Sequence, residues 1–444
     1  MEETKSGPAP EPVWAAFVAI DWADQKHFWR LANAADGKQE CGEMESTPEA
    51  VDAWAAALNT RFAGRPIAVC LEQCKGSLAC ILAKYGHLVL FPVHPNTAAQ
   101  YRETFCPSGA KSDPSDTASL LDLLLRHRDR LRRLQPDTPQ TRLLGILVEA
   151  RRVLVNEKTR QKNRLTAILK IYFPQLLQWF DEMESPVVRD LLGQWPTLAE
   201  LKSCHPGTLK KFLRQHNCGS AERIQERIAV IYAAIPATED EAVLTGESMK
   251  AQSLANILGV LREEIAKYDR HIAELVAAHP DNQLFASLPG AGAALVPRLI
   301  VAFGTQRDRF ASAYEVQCLS GIAPVTEKSG KSEWVHIRWA CPKFMRQTFH
   351  EFAACSIRKP GWAKAYYEEQ RHNKKSHHAA VRSLAHKWIR ILFRCWKNGT
   401  PYDEQTYLQA LKRTGSPLID SFQLDTQGVW KSVAGFQKFS ALSS

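Results

Sequence analysis

The sequence has no stretch approaching the roughly 18 uninterrupted apolar residues of a membrane-spanning helix. Its first residues, MEETKSGPAPEP, have neither the basic nor the apolar region of a signal peptide, so a cytoplasmic protein with no membrane partner is expected. Its eleven cysteines include no C-x-x-C pair. Cys70, Cys74 and Cys80 lie close together but lack a second ligand pair, which argues against zinc and for free, buried thiols in a reducing compartment. Acidic residues are the minority: 47 against 57 Lys and Arg, for a net charge of +10. That balance favours an acidic partner, most often nucleic acid; a merely basic enzyme is the plain alternative. With 444 residues, 45% hydrophobic and 23% charged, the chain is a folded protein of two or three domains.

Strand and helix signals alternate over residues 13–135. Phe17 to Asp21 is a short apolar run ending in an acid, and Lys26 to Asn33 reads as its hairpin partner. Residues 48–62 have helical spacing. Ile67 to Leu71 is a second apolar run, followed by Glu72, and Leu88 to Val93 is a third. Ser115 to Leu134 reads as a helix with Leu120, Leu121, Leu124 and Leu125 on one face. These features predict an α/β layered domain. Pro136 and Pro139 mark its end. Residues 136–280 read as a central long-helix segment: one helix over Leu143 to Tyr172, an interruption around 185–220, then a helix over about 250–278. In the latter, Leu254, Ile257, Leu261, Ile265, Tyr268, Ile272 and Leu275 step as in a coiled-coil seam. The seam suits an intramolecular hairpin or a dimer. A mostly helical domain follows over 281–412, with 413–444 as a peripheral tail and 1–12 as a disordered one.

Four acids stand where chemistry could use them. Asp21 and Glu72 close apolar strands, and α/β sheets place their sites at such strand ends. Asp113 and Asp116 are three apart at a helix start, a spacing that puts both on one face. Carboxylates gathered in this way are tolerable around magnesium, which prefers hard oxygen ligands. Two such ions about 4 Å apart can activate an attacking oxygen and stabilise a leaving one. Taken singly, each acid is equally well explained as a helix cap or a solvated strand end.

The motifs AIDWA, CLEQCKGS and KSDPSDTASL together resemble the Asp-Glu-Asp-Asp pattern of transposases of the insertion-sequence family one-ten, which includes group eleven-eleven. The likeness continues through LPGAG at 288–292, the segment 303–324, and KSGKSEWVHIRW at 328–339. It implies an N-terminal RuvC-like domain of RNase H fold with Asp21, Glu72, Asp113 and Asp116 as ligands of two Mg2+ per site. It also implies a transposase domain whose serine nucleophile matches Ser329, with Ser320 and Ser332 as neighbouring competitors. A serine hydroxyl can attack a phosphodiester and split strand exchange into two transesterifications. Residue chemistry alone reads Ser329 as a serine in a polar turn. The sequence departs from the family where Cys341-Pro342 replaces a Gly-Asn pair. The resemblance further implies target and donor DNA as partners and a structured noncoding RNA from the element as guide, base pairing reading sequence while protein reads shape. It implies a dimer or tetramer over two duplexes, in a prokaryotic cytosol and associated with the nucleoid.

Basic residues fall in rows. Arg126 and Arg130 follow the acidic pair; Arg152, Lys158, Arg160, Lys162 and Arg164 lie along the first long helix; Lys374 and Lys375 come late. With Lys328 and Lys331 beside the serine, they are the candidate nucleic-acid contacts. Gly290 and Gly292 would let backbone amides approach a phosphate. Each row is otherwise a solvated helix face. Two other functions fit the acids: a RuvC-like Mg-dependent endonuclease or junction resolvase without a covalent intermediate, and a non-catalytic nucleic-acid-binding scaffold.

Overall fold

A computed structural model describes residues 11–72, 77–105, 112–424 and 430–432. The N-terminal tail through Pro10, Cys74 and the last twelve residues lie outside the described residues. The chain forms two compact units, residues 1–136 and 137–444.

The first unit is built on β1 (Ala16–Asp21), β2 (Lys26–Asn33), β3 (Gln39–Glu45), α1 (Pro48–Arg61), β4 (Ile67–Leu71), α2 (Ser77–Leu82), β5 (Leu88–Pro92), α3 (Pro95–Phe105) and α4 (Asp113–His127). The strands form one mixed sheet in the order β3-β2-β1-β4-β5. The first three pair antiparallel, whereas β1, β4 and β5 run parallel. β3 is strongly polar and carries few apolar residues to announce it, so the sequence shows two strands of this hairpin series and not the third.

Alternation along the strands sorts the core into two layers. Val18, Ile20, Val69 and Leu71 pack with Val51, Ala55 and Leu58 of α1. Ala19, Ala68 and Cys70 face the other way, against Leu120, Leu121 and Leu124 of α4. Burial pushes the Cys70 thiol up to about 12, so it is inert packing. Of the nine described cysteines only Cys70 and Cys395 are buried, fewer than expected.

The second unit begins with α5 (Pro139–Tyr172), started by Thr138, whose hydroxyl accepts the Thr141 N–H at 3.3 Å. Five shorter helices follow: α6 (Leu176–Trp179), α7 (Pro186–Gln194), α8 (Leu198–Ser203), α9 (Pro206–Gln215) and α10 (Ala221–Ala233). Then comes α11 (Glu241–Ala277), which starts some nine residues before the expected helix because Asp240 caps it. Helices α5 and α11 lie side by side and antiparallel: Leu165 and Leu169 share a core with Ala251, Ala255 and Leu258, and Leu144 and Val148 share another with Ile272. The expected seam holds at Ile265 and Ile272, which are buried, and at Leu254, Tyr268 and Leu275, which pack against the cores, but not at Ile257. Ile257 is 44% exposed while Ala251, Ala255, Leu258 and Gly259 are buried. These mostly small residues allow close approach, and a reading keyed to Leu and Ile passes over them.

The distal core, enclosing α6–α10, fills the segment read as an interruption. The proximal core continues into α12 (Asn282–Ala286), α13 (Val296–Phe303), α14 (Ala313–Leu319), the hairpin β6 (Val325–Ser329) and β7 (Ser332–His336), then α15 (Lys343–Ser356), α16 (Trp362–His372), α17 (His377–Asn398) and α18 (Glu404–Arg413). Phe303 is at its centre, with its ring against Phe285, Phe310, Phe349 and Trp396. Leu418 and Phe422 are buried in this same core, so the chain beyond 413 is not wholly peripheral. A short pair, β8 (Phe422–Leu424) and β9 (Trp430–Ser432), follows. No described helix is long and apolar enough to cross a membrane.

His279, at the end of α11, is buried and bonded through both ring nitrogens. Its Nδ1 accepts the Asp281 N–H at 3.1 Å, and its Nε2 lies 3.1 Å from the Thr141 hydroxyl. Burial lowers its pKa below 6.5, outweighing Asp281 and Asp137, which raise it; Arg307 lowers it further. The folded state thus holds this proton less tightly than the unfolded chain. Its contribution to stability is complete above pH 6.5 and is lost as pH falls from there through the lowered folded value. Urea midpoints of the full chain are expected to fall between pH 7 and 5 less steeply in His279→Gln than in wild type; parallel slopes would refute this.

Candidate active site

The parallel register of β1 and β4 opposes Ile20 to Leu71, which places Asp21 and Glu72 at neighbouring strand ends. Continued alternation turns both toward the layer that α4 covers, following Ala19 and Cys70. Both are partly buried. Helix α4 is fixed at its start by Ser112 and Ser115: the Ser115 Oγ accepts the Ser112 N–H at 3.2 Å. Pro114 stands in the first turn, where its missing N–H is no loss.

The two acids of α4 diverge. Asp116 is buried, with Thr117 beside it, while Asp113 is exposed. Three residues is 300° of helical turn, so the two side chains are about 60° apart around the helix, and that offset separates a buried from an exposed position. Glu72 and Asp116 line one pocket of about 200 Å³ with Pro95, Asn96, Ala99 and Arg102. Among the described residues no three His, Cys, Asp or Glu side chains are gathered closely enough to hold a metal. The sheet and α4 thus bring Glu72 and Asp116 together, set Asp21 at the adjoining strand end, and leave Asp113 exposed and outside the pocket's lining.

Arg102 of α3 is the residue that the sequence did not single out. Its Nη1 donates to Asp116 Oδ1 at 2.7 Å, and the two side chains are 18% and 5% exposed. The hydrogen bond to Asp116, then the charges of Asp116, Glu103 and Glu72, raise the Arg102 pKa against the cost of burial. A cation already sits among the carboxylates, so the pocket is a site for positive charge. Nothing local distinguishes Arg102 from the other arginines; only the packing of α3 on α4 reveals it.

Ser329 ends β6, opposite Ser332 of β7, at the tip of an exposed ribbon. Gly330 and Lys331 form the two-residue turn, and Gly330 adopts a φ of 57°, which favours glycine. Ser320, by contrast, is fully buried and donates to the Gln317 carbonyl at 3.2 Å, so it is structural. Gly290 is explained by packing: at its φ of 82° a Cβ would lie 2.8 Å from the Cys355 carbonyl carbon. Gly292 has open space around it.

The basic rows are partly neutralised within the chain. Lys158 and Lys162 both hold Glu184 at 3.1 Å, Arg160 holds Glu157 at 2.6 Å, and Arg126 holds Asp122 at 2.6 Å. Arg152 is half-buried near Glu351, and Arg164 bonds Gln161 at 3.4 Å. Arg130, Lys328, Lys331, Lys374 and Lys375 are exposed.

Residues 18–174 match the DEDD transposase family of IS110, and residues 282–368 match the transposase family described as IS116/IS110/IS902. The mini-circle putative transposase for IS117 of Streptomyces coelicolor is 25% identical over 88% of this chain and 95% of its own. The IS110 43.6 kDa protein of the same organism is 28% identical over 70% and 76%, and the IS900 42 kDa protein of Mycobacterium paratuberculosis 24% over 89% and 98%. A mixed-sheet domain with acids at its strand ends, followed by this helical unit, is thus a transposase, an enzyme acting on DNA. The chain belongs to the IS110 family of transposases, and the family points to divalent-metal dependence.

Replacing Arg102 by Gln removes a nearly buried partner of Asp116 and is expected to lower the unfolding free energy by about 3 kcal/mol. Asp116→Asn in the same background should recover most of it. A double-mutant cycle by urea denaturation measures the coupling; a value near zero would mean that the pair contributes nothing.

Proposed function

We propose that this transposase exchanges DNA strands with metal-binding carboxylates in the first unit and Ser329, in the second, as nucleophile. The observation that carries this reading is the pairing of Glu72 with the buried Asp116 on one pocket, beside the strand end of Asp21. The strand order β3-β2-β1-β4-β5 supports an RNase H-type, RuvC-like domain. The residues suit Mg2+: all are hard oxygen donors, and the pocket already accommodates a cationic side chain. Glu72 and Asp116, which line the pocket, would hold it, and Asp21 and Asp113, which lie outside that lining, would have to close on it to complete the set. Bound there, Mg2+ would supply Lewis-acid stabilisation of charge on the phosphate oxygens.

The serine does the covalent work. Its Oγ attacks the phosphorus; an Oγ–P bond forms, one P–O bond to a sugar breaks, and the serine proton passes through a base to the departing sugar oxygen. A sugar hydroxyl from the other strand then attacks the phosphoserine, and Ser329 recovers its proton. Bond energy is conserved, so no nucleotide hydrolysis is needed. Exposure at a hairpin tip suits a nucleophile that must reach a backbone phosphate.

The guide is a structured noncoding RNA, on the strength of the family resemblance and of the exposed basic residues. Assembly as a dimer and then a tetramer is supported by an exposed apolar stripe on α5, Leu143, Ile146 and Val153, with Ile257 and Val260 on α11. The setting is the cytosol, on the nucleoid.

Incubated with element-end DNA and Mg2+, wild-type protein is expected to form a denaturation-resistant protein–DNA adduct. Ser329→Ala should abolish the adduct, and chelation of the metal should abolish it in wild type. Undiminished cutting and rejoining by Ser329→Ala would favour hydrolysis by a RuvC-like nuclease instead. Sequencing of copurifying RNA tests the guide; no discrete species would refute guidance and leave the metal-dependent reaction standing.

A further inference from the structure

We propose that Trp334 is a stacking platform for an unpaired DNA base beside the phosphate that Ser329 attacks. The inference rests on the reading of Ser329 as nucleophile.

The ribbon's register opposes Val325 to His336, Glu327 to Trp334 and Ser329 to Ser332. Side chains two apart share a face and opposed residues share it too, so Val325, Glu327, Ser329, Ser332, Trp334 and His336 all stand on one side, with Glu327 directly opposite Trp334. Trp334 is a diagonal neighbour of Ser329, within the reach of a long aromatic side chain. Its indole is 62% exposed. The His336 ring lies beside it, with centroids 4.4 Å apart and planes at 31°, which braces the indole from one side. Nearby, Trp339 is 73% exposed, with the Arg346 guanidinium 5.7 Å from its ring centroid.

Exposure of these rings needs a reason. In the same unit Trp362, Trp388 and Trp396 are fully buried, and each donates its N–H to a protein oxygen. A ring left in water forgoes that burial. The surroundings indicate nucleic acid. Lys331 stands at the turn, Arg338 and Arg346 flank Trp339, and the ribbon's two acids face cationic or basic groups: Glu333 is held by Lys328 at 3.0 Å and Glu327 lies 3.5 Å from His336. Every base offers a π-face, and aromatic platforms among cations bind bases irrespective of sequence. A closed duplex hides those faces. The occupant is therefore an unpaired nucleotide, which a strand-exchange reaction must expose.

The test uses full-length protein in the Ser329→Ala background, so that binding is read without chemistry. Anisotropy would follow two labelled DNAs of the same sequence, one fully paired and one with a short unpaired bubble. Trp334→Ala is expected to weaken bubble binding roughly tenfold to a hundredfold and paired binding by less than about twofold, while Trp334→Phe retains most of the preference. Equal losses on both DNAs, or none on the bubble, would overturn the proposal. So would loss of self-association in sedimentation without a bubble-specific effect, which would assign the ring to a second copy. Failure to find a phosphoserine adduct would refute the nucleophile and leave this binding result readable by itself.

Discussion

A buried carboxylate is the constraint around which the first unit is arranged. Asp116 is nearly sealed from solvent, and an isolated charge there would be prohibitively costly. The fold offsets that cost by bringing Arg102 to it across α3 and α4. The same packing requires α4 to lie on the face of the sheet where Ala19, Ala68 and Cys70 are small enough to admit it. Because strand side chains alternate, that is also the face to which Asp21 and Glu72 turn. Larger residues at these three positions would lift α4 and take Asp116 away from Glu72.

Much of this could be read from the sequence. The strands β1, β2, β4 and β5 are short apolar runs, and Asp21 and Glu72 stand at their ends because the chain turns polar there. What local pattern could not carry was depth. Spacing placed Asp113 and Asp116 together, yet one is exposed and the other buried, since the sheet decides which part of the helix surface it covers. Arg102 was invisible for a related reason: its importance comes from what α4 brings to it, not from its neighbours in the chain. The seam of α11 was read in part, since Ile265 and Ile272 are buried while Ile257 is exposed. Residues such as Ala251, Ala255 and Gly259 make close contacts through the absence of bulk, and hydrophobic periodicity is weighted toward bulk.

The second unit shows how one helix pair can serve two cores. At one end α5 and α11 are part of the aromatic core around Phe303; at the other they close over the small helices α6–α10. Helices of 34 and 37 residues are long enough for this, and Arg151 and Asp269 bridge them at 2.5 Å on the way. The ladder of lysines that looked like a nucleic-acid track is partly consumed in holding Glu184. Charge counted along a sequence overstates the charge that remains for a partner, and on α5 the correction is large.

The two sets of proposed catalytic groups have opposite physical characters. The acids are set by a rigid sheet and a capped helix, where small displacements are resisted by a close-packed interior. Ser329 stands on a two-stranded ribbon whose inward support is slight and whose side chains are largely exposed. Rigid placement suits groups that must present fixed oxygens to a cation. A ribbon suits a nucleophile that has to meet a substrate as large as DNA and then carry a phosphoryl group between strands. If Ser329 is the nucleophile, such a ribbon needs something other than its own packing to fix the phosphate at the hydroxyl, and the exposed indole two residues beyond Ser332 on the same face is the group proposed for it.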